Sequence, residues 1–298
     1  MKKNVEKCRI CLYISEMRNA NMKDYAVVIG CDKEIPFNYN INDLDTLKTV
    51  KKAGFKKVFL SFKYDGWSSH QNYMFNECKR LGLDVVFIHM PYKNSRAVEK
   101  IWHEDSSGDE VTKGYIKDLN EIKKLGINKV VMHVSKTDEK PNCNEIGLKR
   151  WKKIIKHAEK IGIDIALENT MWSGVLEYIF DNLKSDNLKI CYDSGHDHAF
   201  FKNTFNFERF KDKIILTHLH DNDQSDDLHW IPFDGNIDWV RVTNELAKAN
   251  YDFSLITESV YRDHYTEVCT PLQFYKKLFK RMKKLDKLWK KTKAKYKE

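Results

Sequence analysis

The sequence predicts an α/β fold, a (β/α)8 TIM barrel, from three observations. Eight short apolar runs alternate along the 298 residues with longer amphipathic stretches. Several of those stretches end on a glycine a few residues ahead of the next run, the punctuation of repeated helix-to-strand connections. No Gly-rich phosphate fingerprint follows the first run, where Val28-Ile29-Gly30-Cys31-Asp32-Lys33 stands, and this disfavours an open doubly wound sheet.

Strands are expected at Tyr25–Ile29, Lys57–Ser61, Asp84–Met90, Lys129–His133, Asp164–Glu168, Lys189–Asp193, Lys213–His218 and Ser254–Glu258. Most are near-continuous apolar segments, as parallel strands covered on both faces must be. Ala53-Gly54, Leu81-Gly82, Leu125-Gly126 and Ile161-Gly162 close the helices that precede strands two to five. No Pro- or Ser-rich linker divides the chain, so residues 1–298 read as a single domain. In the last segment Phe274, Leu278, Met282, Leu285 and Leu288/Trp289 recur at helical spacing. They predict a final barrel helix with a lysine-covered outer face. A surface that docks on an anionic membrane or nucleic acid is the sharper reading of the same lysines.

Composition bounds the function. With 42% apolar and 12% aromatic residues the chain is neither disordered nor low-complexity. No window approaches 18 uninterrupted apolar residues, so no membrane span is expected. Met1-Lys2-Lys3 is basic, but residues 4–9 supply no apolar core for a secretory signal, and a cytoplasmic location is expected. Seven scattered cysteines, an odd number, fit reduced thiols, and Cys8-x-x-Cys11 lacks the second pair that a tetrahedral zinc site needs. The formal net charge of +9 is concentrated at one end: residues 276–298 carry twelve Lys/Arg against Asp286 and Glu298, a net +10, which leaves −1 for residues 1–275. A nucleic-acid partner does not follow from that total.

Barrel active sites lie at the C-terminal ends of the strands. Here the ends of strands three to eight deliver His89, His133, Glu168, Asp193, His218 and Glu258 to one rim. His196 follows strand six by three residues, His220 follows strand seven, and the loop beyond adds Asp227 and His229. Any one strand-end histidine is readily a hydrogen-bonded rim residue. Converging carboxylates are different, because they repel one another unless a cation lies between them. Histidine with Asp/Glu is the ligand set of Zn²⁺ or Mn²⁺ rather than of a thiolate site. Glu168 and Glu258, on opposite sides of the barrel, can each hold a metal through one oxygen and present the other to substrate. That arrangement suits proton transfer through a metal-stabilised enediolate and hydrolysis by metal-bound hydroxide equally well.

At these positions the chain resembles the xylose-isomerase-like barrel superfamily, which joins sugar isomerases and epimerases with abasic-site endonucleases of the endonuclease IV type. The resemblance runs from strand two to strand eight. It rests on His89-Met-Pro-Tyr92, Glu168-Asn169-Thr170, Asp193-Ser-Gly-His196, His218-Leu-His-Asp221-Asn-Asp223, Asp227-Leu-His229, Phe233-Asp-Gly235-Asn-Ile-Asp-Trp239 and Glu258. The isomerase and epimerase branch implies one divalent ion on Glu168, Asp193, His218 and Glu258. In that branch the two glutamates form the acid/base pair and His196 contacts a substrate oxygen, so a keto-sugar or sugar phosphate is the expected substrate. The endonuclease branch implies up to three zinc ions, with a second cluster on His89, His133, His196, Asp227 and His229, and only there is nucleic acid a partner. The sequence departs from that branch at Lys93, where an apolar wedge is expected, at His220-Asp221, and at Asp193-Ser-Gly-His196. Tyr92, Trp172 and Trp230 are expected to wall a sugar pocket, with His220 beside them, and Arg262 to receive a phosphate or carboxylate. A homo-oligomer is compatible with all of this.

Overall fold

The computed structural model describes residues 25–30, 43–136, 140–262 and 264–296. Its strands are β1 (Ala26–Gly30), β2 (Lys57–Ser61), β3 (Asp84–His89), β4 (Lys129–Met132), β5 (Asp164–Glu168), β6 (Leu188–Asp193), β7 (Ile214–His218) and β8 (Ile256–Thr257). All pair in parallel in the order β7-β6-β5-β4-β3-β2-β1-β8. The seam between β7 and β8 has no regular ladder. There the Ile256 N–H donates to Thr217 Oγ1 at 3.2 Å and the Leu219 N–H to the Ile256 carbonyl at 2.9 Å. A nearly closed (β/α)8 barrel results. Its interior is filled by Val28, Phe59, Phe87, Val131, Ala166, Cys191 and Leu216, so the barrel is a packed core and not a pore.

The helices are α1 (Asp43–Ala53), α2 (Ser69–Arg80), α3 (Ser107–Lys124), α4 (Glu145–Ile161), α5 (Ser173–Asn182), α6 (Ser194–Ala199), α7 (Trp239–Lys248), α8 (His264–Val268) and α9 (Pro271–Ala294). Local chemistry marks their ends. Asn144 Oδ1 accepts the Gly147 N–H at 2.8 Å to start α4, and Gly162 leaves it at φ +66°, in the left-handed region where glycine has no Cβ penalty. Thr270 and Gln273 form a capping box ahead of Pro271 at the start of α9.

Phe274, Leu278, Met282, Leu285 and Trp289 form the buried face of α9, which packs on α1 and α7, while Leu288 is half-buried. Lys276, Lys280, Lys283, Lys287 and Lys291 lie exposed on its other side. Most strands start or stop within a residue of the sequence expectation: β1 is shifted by one residue, β6 begins one residue earlier and β7 one later. β3 stops at His89 and β4 at Met132, and β8 shrinks to two residues because it is laddered only on its β1 side. Cys78, Cys143, Cys191 and Cys269 are free thiols, while Cys8, Cys11, Cys31 and Lys297 lie outside the described residues. Among the described residues no helix is long and apolar enough to cross a membrane.

Candidate metal centre

The parallel register levels the strand ends, so their last residues meet at one rim. Asp193 stands beside His218, Glu168 beside Cys191 and His89 beside Ser61. Asp193 also caps the short helix α6: its Oδ1 accepts the His196 N–H at 2.7 Å, which turns the chain so that His196 overhangs the rim. Gly195 is required at that bend, because a Cβ there would sit 1.9 Å from the His220 ring.

Asp221 organises the long loop after β7. Its carboxylate accepts N–H donors from Phe233 at 2.8 Å, Ile237 at 3.1 Å and the Trp239 indole at 3.0 Å, and its backbone pairs with Trp230. This knot returns Asp227 and His229 to the barrel mouth. His229 closes the loop against strand eight, with Nδ1 2.9 Å from the Glu258 carbonyl.

The side chains converge closely. Glu168, Asp193, His218 and Glu258 each offer one donor atom, all within 4.8 Å of one another. Glu168 belongs to a second such group with His89 and His133, and Glu258 to further groups with His89 and His218 and with His220 and His229. His89 Nε2 lies 3.2 Å and His133 Nε2 3.4 Å from Glu168 Oε2. Asp227 joins the remaining histidines, with its oxygens 3.4 Å from His196 Nε2, 3.6 Å from His220 Nε2 and 2.9 Å from His229 Nε2. Of the ten side chains, nine are buried and Asp227 is half-buried.

Three histidines share one further feature. His89 Nδ1 faces the Met90 carbonyl at 3.0 Å, His196 Nδ1 the Asn169 carbonyl at 3.1 Å, and His229 Nδ1 the Glu258 carbonyl. A proton on each Nδ1 satisfies that carbonyl and leaves Nε2 bare, the tautomer a metal ligand requires. A bare nitrogen that faces a carboxylate oxygen needs a proton or a cation between them.

The deepest group meets the same test. Both ring nitrogens of His218 and Oε1 of Glu168 are buried without a hydrogen-bond partner. Buried polar atoms are seldom left so. His218 Nδ1 nonetheless lies 3.3 Å from Glu168 Oε1, 3.2 Å from Glu258 Oε2 and 3.8 Å from Asp193 Oδ2. Its ring stacks on Phe59 at 5.1 Å, which sets its plane. The donor set and its orphaned atoms fit a divalent cation. Hence this buried cluster can hold a metal ion.

Charge coupling points the same way. Burial works against the His218 imidazolium, but Cys191, Glu258 and Glu168 hold its pKa well above the ordinary histidine value. Burial likewise opposes His196, and Asp193 and Asp227 override it; His220 is raised against burial by Asp193 and Asp227. Glu168 is held well below the carboxylate range, its burial outweighed by His218 and His133, and Asp227 is held low by His229 and His196. Burial pushes His133 down to about 3. Without a cation, the raised pKa values of His196, His218 and His220 let imidazolium charge offset the crowded carboxylates.

Of the residues singled out from sequence, Glu168, Glu258, His196, His89, His133, Asp227 and His229 line one cleft, and Asp193 and His218 are buried against Glu168 and Glu258. Tyr92 lines the cleft too, stacked on His133 with ring centroids 3.8 Å apart. The other expected pocket residues are not among those that line it. Trp172 and Trp230 are half-buried and absent from the cleft lining, and Trp230 instead packs on His264 at 5.2 Å. His220 is buried beneath the rim, 3.1 Å from Asp193, and Arg262 donates to the Asp227 carbonyl at 2.8 Å, so it braces the loop. Lys63 and Lys136, which sequence reasoning passed over, line the cleft. Burial lowers the Lys63 pKa against the pull of Glu258. Their only sequence signal was position, just past strands two and four.

Residues 47–285 match the family described as the xylose isomerase-like TIM barrel, and the chain belongs to that family. Among curated relatives it is 33% identical over 141 residues to the uncharacterized protein y4fM of Sinorhizobium fredii, covering 43% of this chain and 45% of that protein. It is 34% identical over 110 residues to the uncharacterized protein MJ1311 of Methanocaldococcus jannaschii, covering 33% of this chain and 38% of that one. The chain thus spans about half, or less, of the length of these relatives. Among solved structures, an L-ribulose 3-epimerase superposes with a TM-score of 0.68 at 17% identity, covering 93% of this chain and 97% of that one. A D-psicose 3-epimerase from Clostridium cellulolyticum H10 does so with a TM-score of 0.62 at 16% identity, covering 91% and 98%. At such identities the likeness is one of fold.

Proposed function

We propose that this protein is a divalent-metal-dependent isomerase or epimerase of a keto-sugar or sugar phosphate. One observation carries the reading: Glu168 and Glu258 reach from opposite sides of the barrel, β5 and the end of β8, to the same His218 nitrogen, at 3.3 and 3.2 Å. A carbon held between two such carboxylates can lose a proton to one and regain it from the other. Glu168, Asp193, His218 and Glu258 would hold the metal, which when bound supplies positive charge to the substrate oxygens as their carbon becomes acidic. Glu168 and Glu258 move the proton. His196, whose ring Asp227 and the Asn169 carbonyl fix in place, orients a substrate hydroxyl. The buried donors keep bulk water from competing for the proton. The test is exchange of solvent deuterium into a panel of ketoses and ketose phosphates by the metal-loaded protein. Exchange that Glu168→Gln removes supports the reading, and no exchange across the panel overturns it.

A second reading is favoured by the size of the donor set. His89 and His133 add donors around Glu168, and His196 and His229 add them around Asp227, more in all than one ion takes. A multinuclear centre of that kind suits phosphodiester hydrolysis at an abasic site. About three zinc ions per chain together with nicking of an abasic-site duplex would establish it; about one ion without nicking favours the isomerase.

A further inference from the structure

The cleft has a cationic side that the proton-transfer chemistry does not use. The loops after β2 and β4 bring Lys63 and Lys136 to its lining, and the loop after β3 sets Lys93 beside them against the Tyr92 ring. Backbone hydrogen bonds stitch the first two loops together: the Tyr92 and Lys93 N–H groups both donate to the Lys63 carbonyl, at 3.1 and 2.9 Å. The Tyr115 hydroxyl ties the second loop down through the Pro91 carbonyl at 2.8 Å. Lys93 Nζ and Lys136 Nζ each lie 6.0 Å from the centre of the Tyr92 ring, and Lys93 Nζ lies 5.5 Å from the Tyr64 ring. Tyr92 in turn stacks flat on His133, at an interplanar angle of 4°. A continuous row therefore runs from Glu168 through His133 and Tyr92 to two ammonium groups. Among the described residues neither Lys93 nor Lys136 forms an ion pair with a carboxylate, while Lys63 is attracted by Glu258 and Asp227 and repelled by Arg262 and Lys93. Positive groups crowded at a cleft mouth repel one another until an anion enters.

We propose that Lys63, Lys93 and Lys136 form an anion subsite around the Tyr92 ring that takes a phosphate monoester group carried by the substrate. The inference rests on the small-molecule sugar reading above and narrows its substrate class. Three lysines on three separate loops suit a dianion with several oxygens, whereas a carboxylate is better matched by the planar fork of an arginine. A substrate whose reacting carbons lie between Glu168 and Glu258 directs its far end along the ring stack to these lysines.

The experiment titrates inorganic phosphate into the metal-loaded full chain by calorimetry, for the wild type and for Lys93→Ala, Lys136→Ala and Lys136→Arg. Metal content is measured on each protein. The expected result is a loss of about tenfold in phosphate affinity for each alanine variant, with unchanged metal content and affinity retained in Lys136→Arg. Raised salt should weaken wild-type binding more than that of the alanine variants. Alanine variants that bind phosphate as the wild type does would place the anion on the metal and overturn the subsite. A duplex oligonucleotide that binds more tightly than phosphate and loses that affinity in the same variants would overturn it in favour of a polyanion surface. Phosphate binding that follows the expected pattern in a protein with no ketose exchange would support the subsite and refute the isomerase reading.

Discussion

If the cluster holds a divalent cation as proposed, removing that ion should destabilise this protein at pH 8 far more than at pH 6. In the metal-free cluster His196, His218 and His220 have raised folded-state pKa values. A raised histidine contributes stability that is fully present below its unfolded value, about 6.5, and lost as pH rises through the folded value. Metal-free protein therefore weakens above neutrality, as four carboxylates lose their imidazolium partners. The metal-bound form behaves oppositely, since a cation on Glu168, Asp193, His218 and Glu258 requires His218 to be deprotonated. At a free metal concentration 100 times the dissociation constant the bound form gains about 2.7 kcal/mol. At roughly 2 °C per kcal/mol for a chain of this size that is a shift of ~5 °C. Thermal unfolding with metal or with chelator, at pH 6 and pH 8, measures it. Calorimetry in buffers of different ionisation enthalpy should show about one proton released near pH 7 if only the four-donor group fills, and more if His196 and His220 also ligate. A melting temperature indifferent to chelator at pH 8, or no proton release, would refute the reasoning.

Three further outcomes follow from single contacts. Glu168→Gln should lower ketose exchange by about 10²–10⁴-fold, the usual worth of a positioned acid/base group, which steady-state assays against metal content will read. Gly195→Ala drives a methyl group into the buried His220 ring and should destabilise by about 1–3 kcal/mol, measured by urea denaturation; wild-type stability would show that the bend relaxes freely. Asp221→Ala strands the N–H groups of Phe233 and Ile237 and the Trp239 indole, and should cost about 3 kcal/mol or more. The same variant should increase hydrogen exchange across residues 222–238, and an unchanged exchange pattern there would count against the knot.

Much of the barrel was legible because parallel strands buried on both faces must be apolar throughout, and Val27–Ile29, Val130–Met132 and Ile214–Leu216 carry that signal locally. Glu168, Asp193 and His218 were legible for a related reason: a charged residue that ends such a run has no place except the rim. The ends were less clear. His133 lies one residue past β4, and β8 is reduced to Ile256–Thr257, because ladder pairing with neighbouring strands and not composition decides where a strand stops.

The individual bonds that join distant segments were not legible. The seam where Thr217 Oγ1 stands in for a ladder bond, the knot around Asp221, and the return of His229 to the Glu258 carbonyl join atoms far apart in sequence. Lys63 and Lys136 look like any surface lysine until the loops after β2, β3 and β4 are brought side by side, and Trp172 and Trp230 are not among the residues that line the cleft. Residue type and periodicity, properties of each segment alone, thus determined the barrel and the chemical character of its rim. How closely the rim donors approach one another, and which other charges face them, was decided only in three dimensions, because those relations are distances between segments that no local pattern encodes.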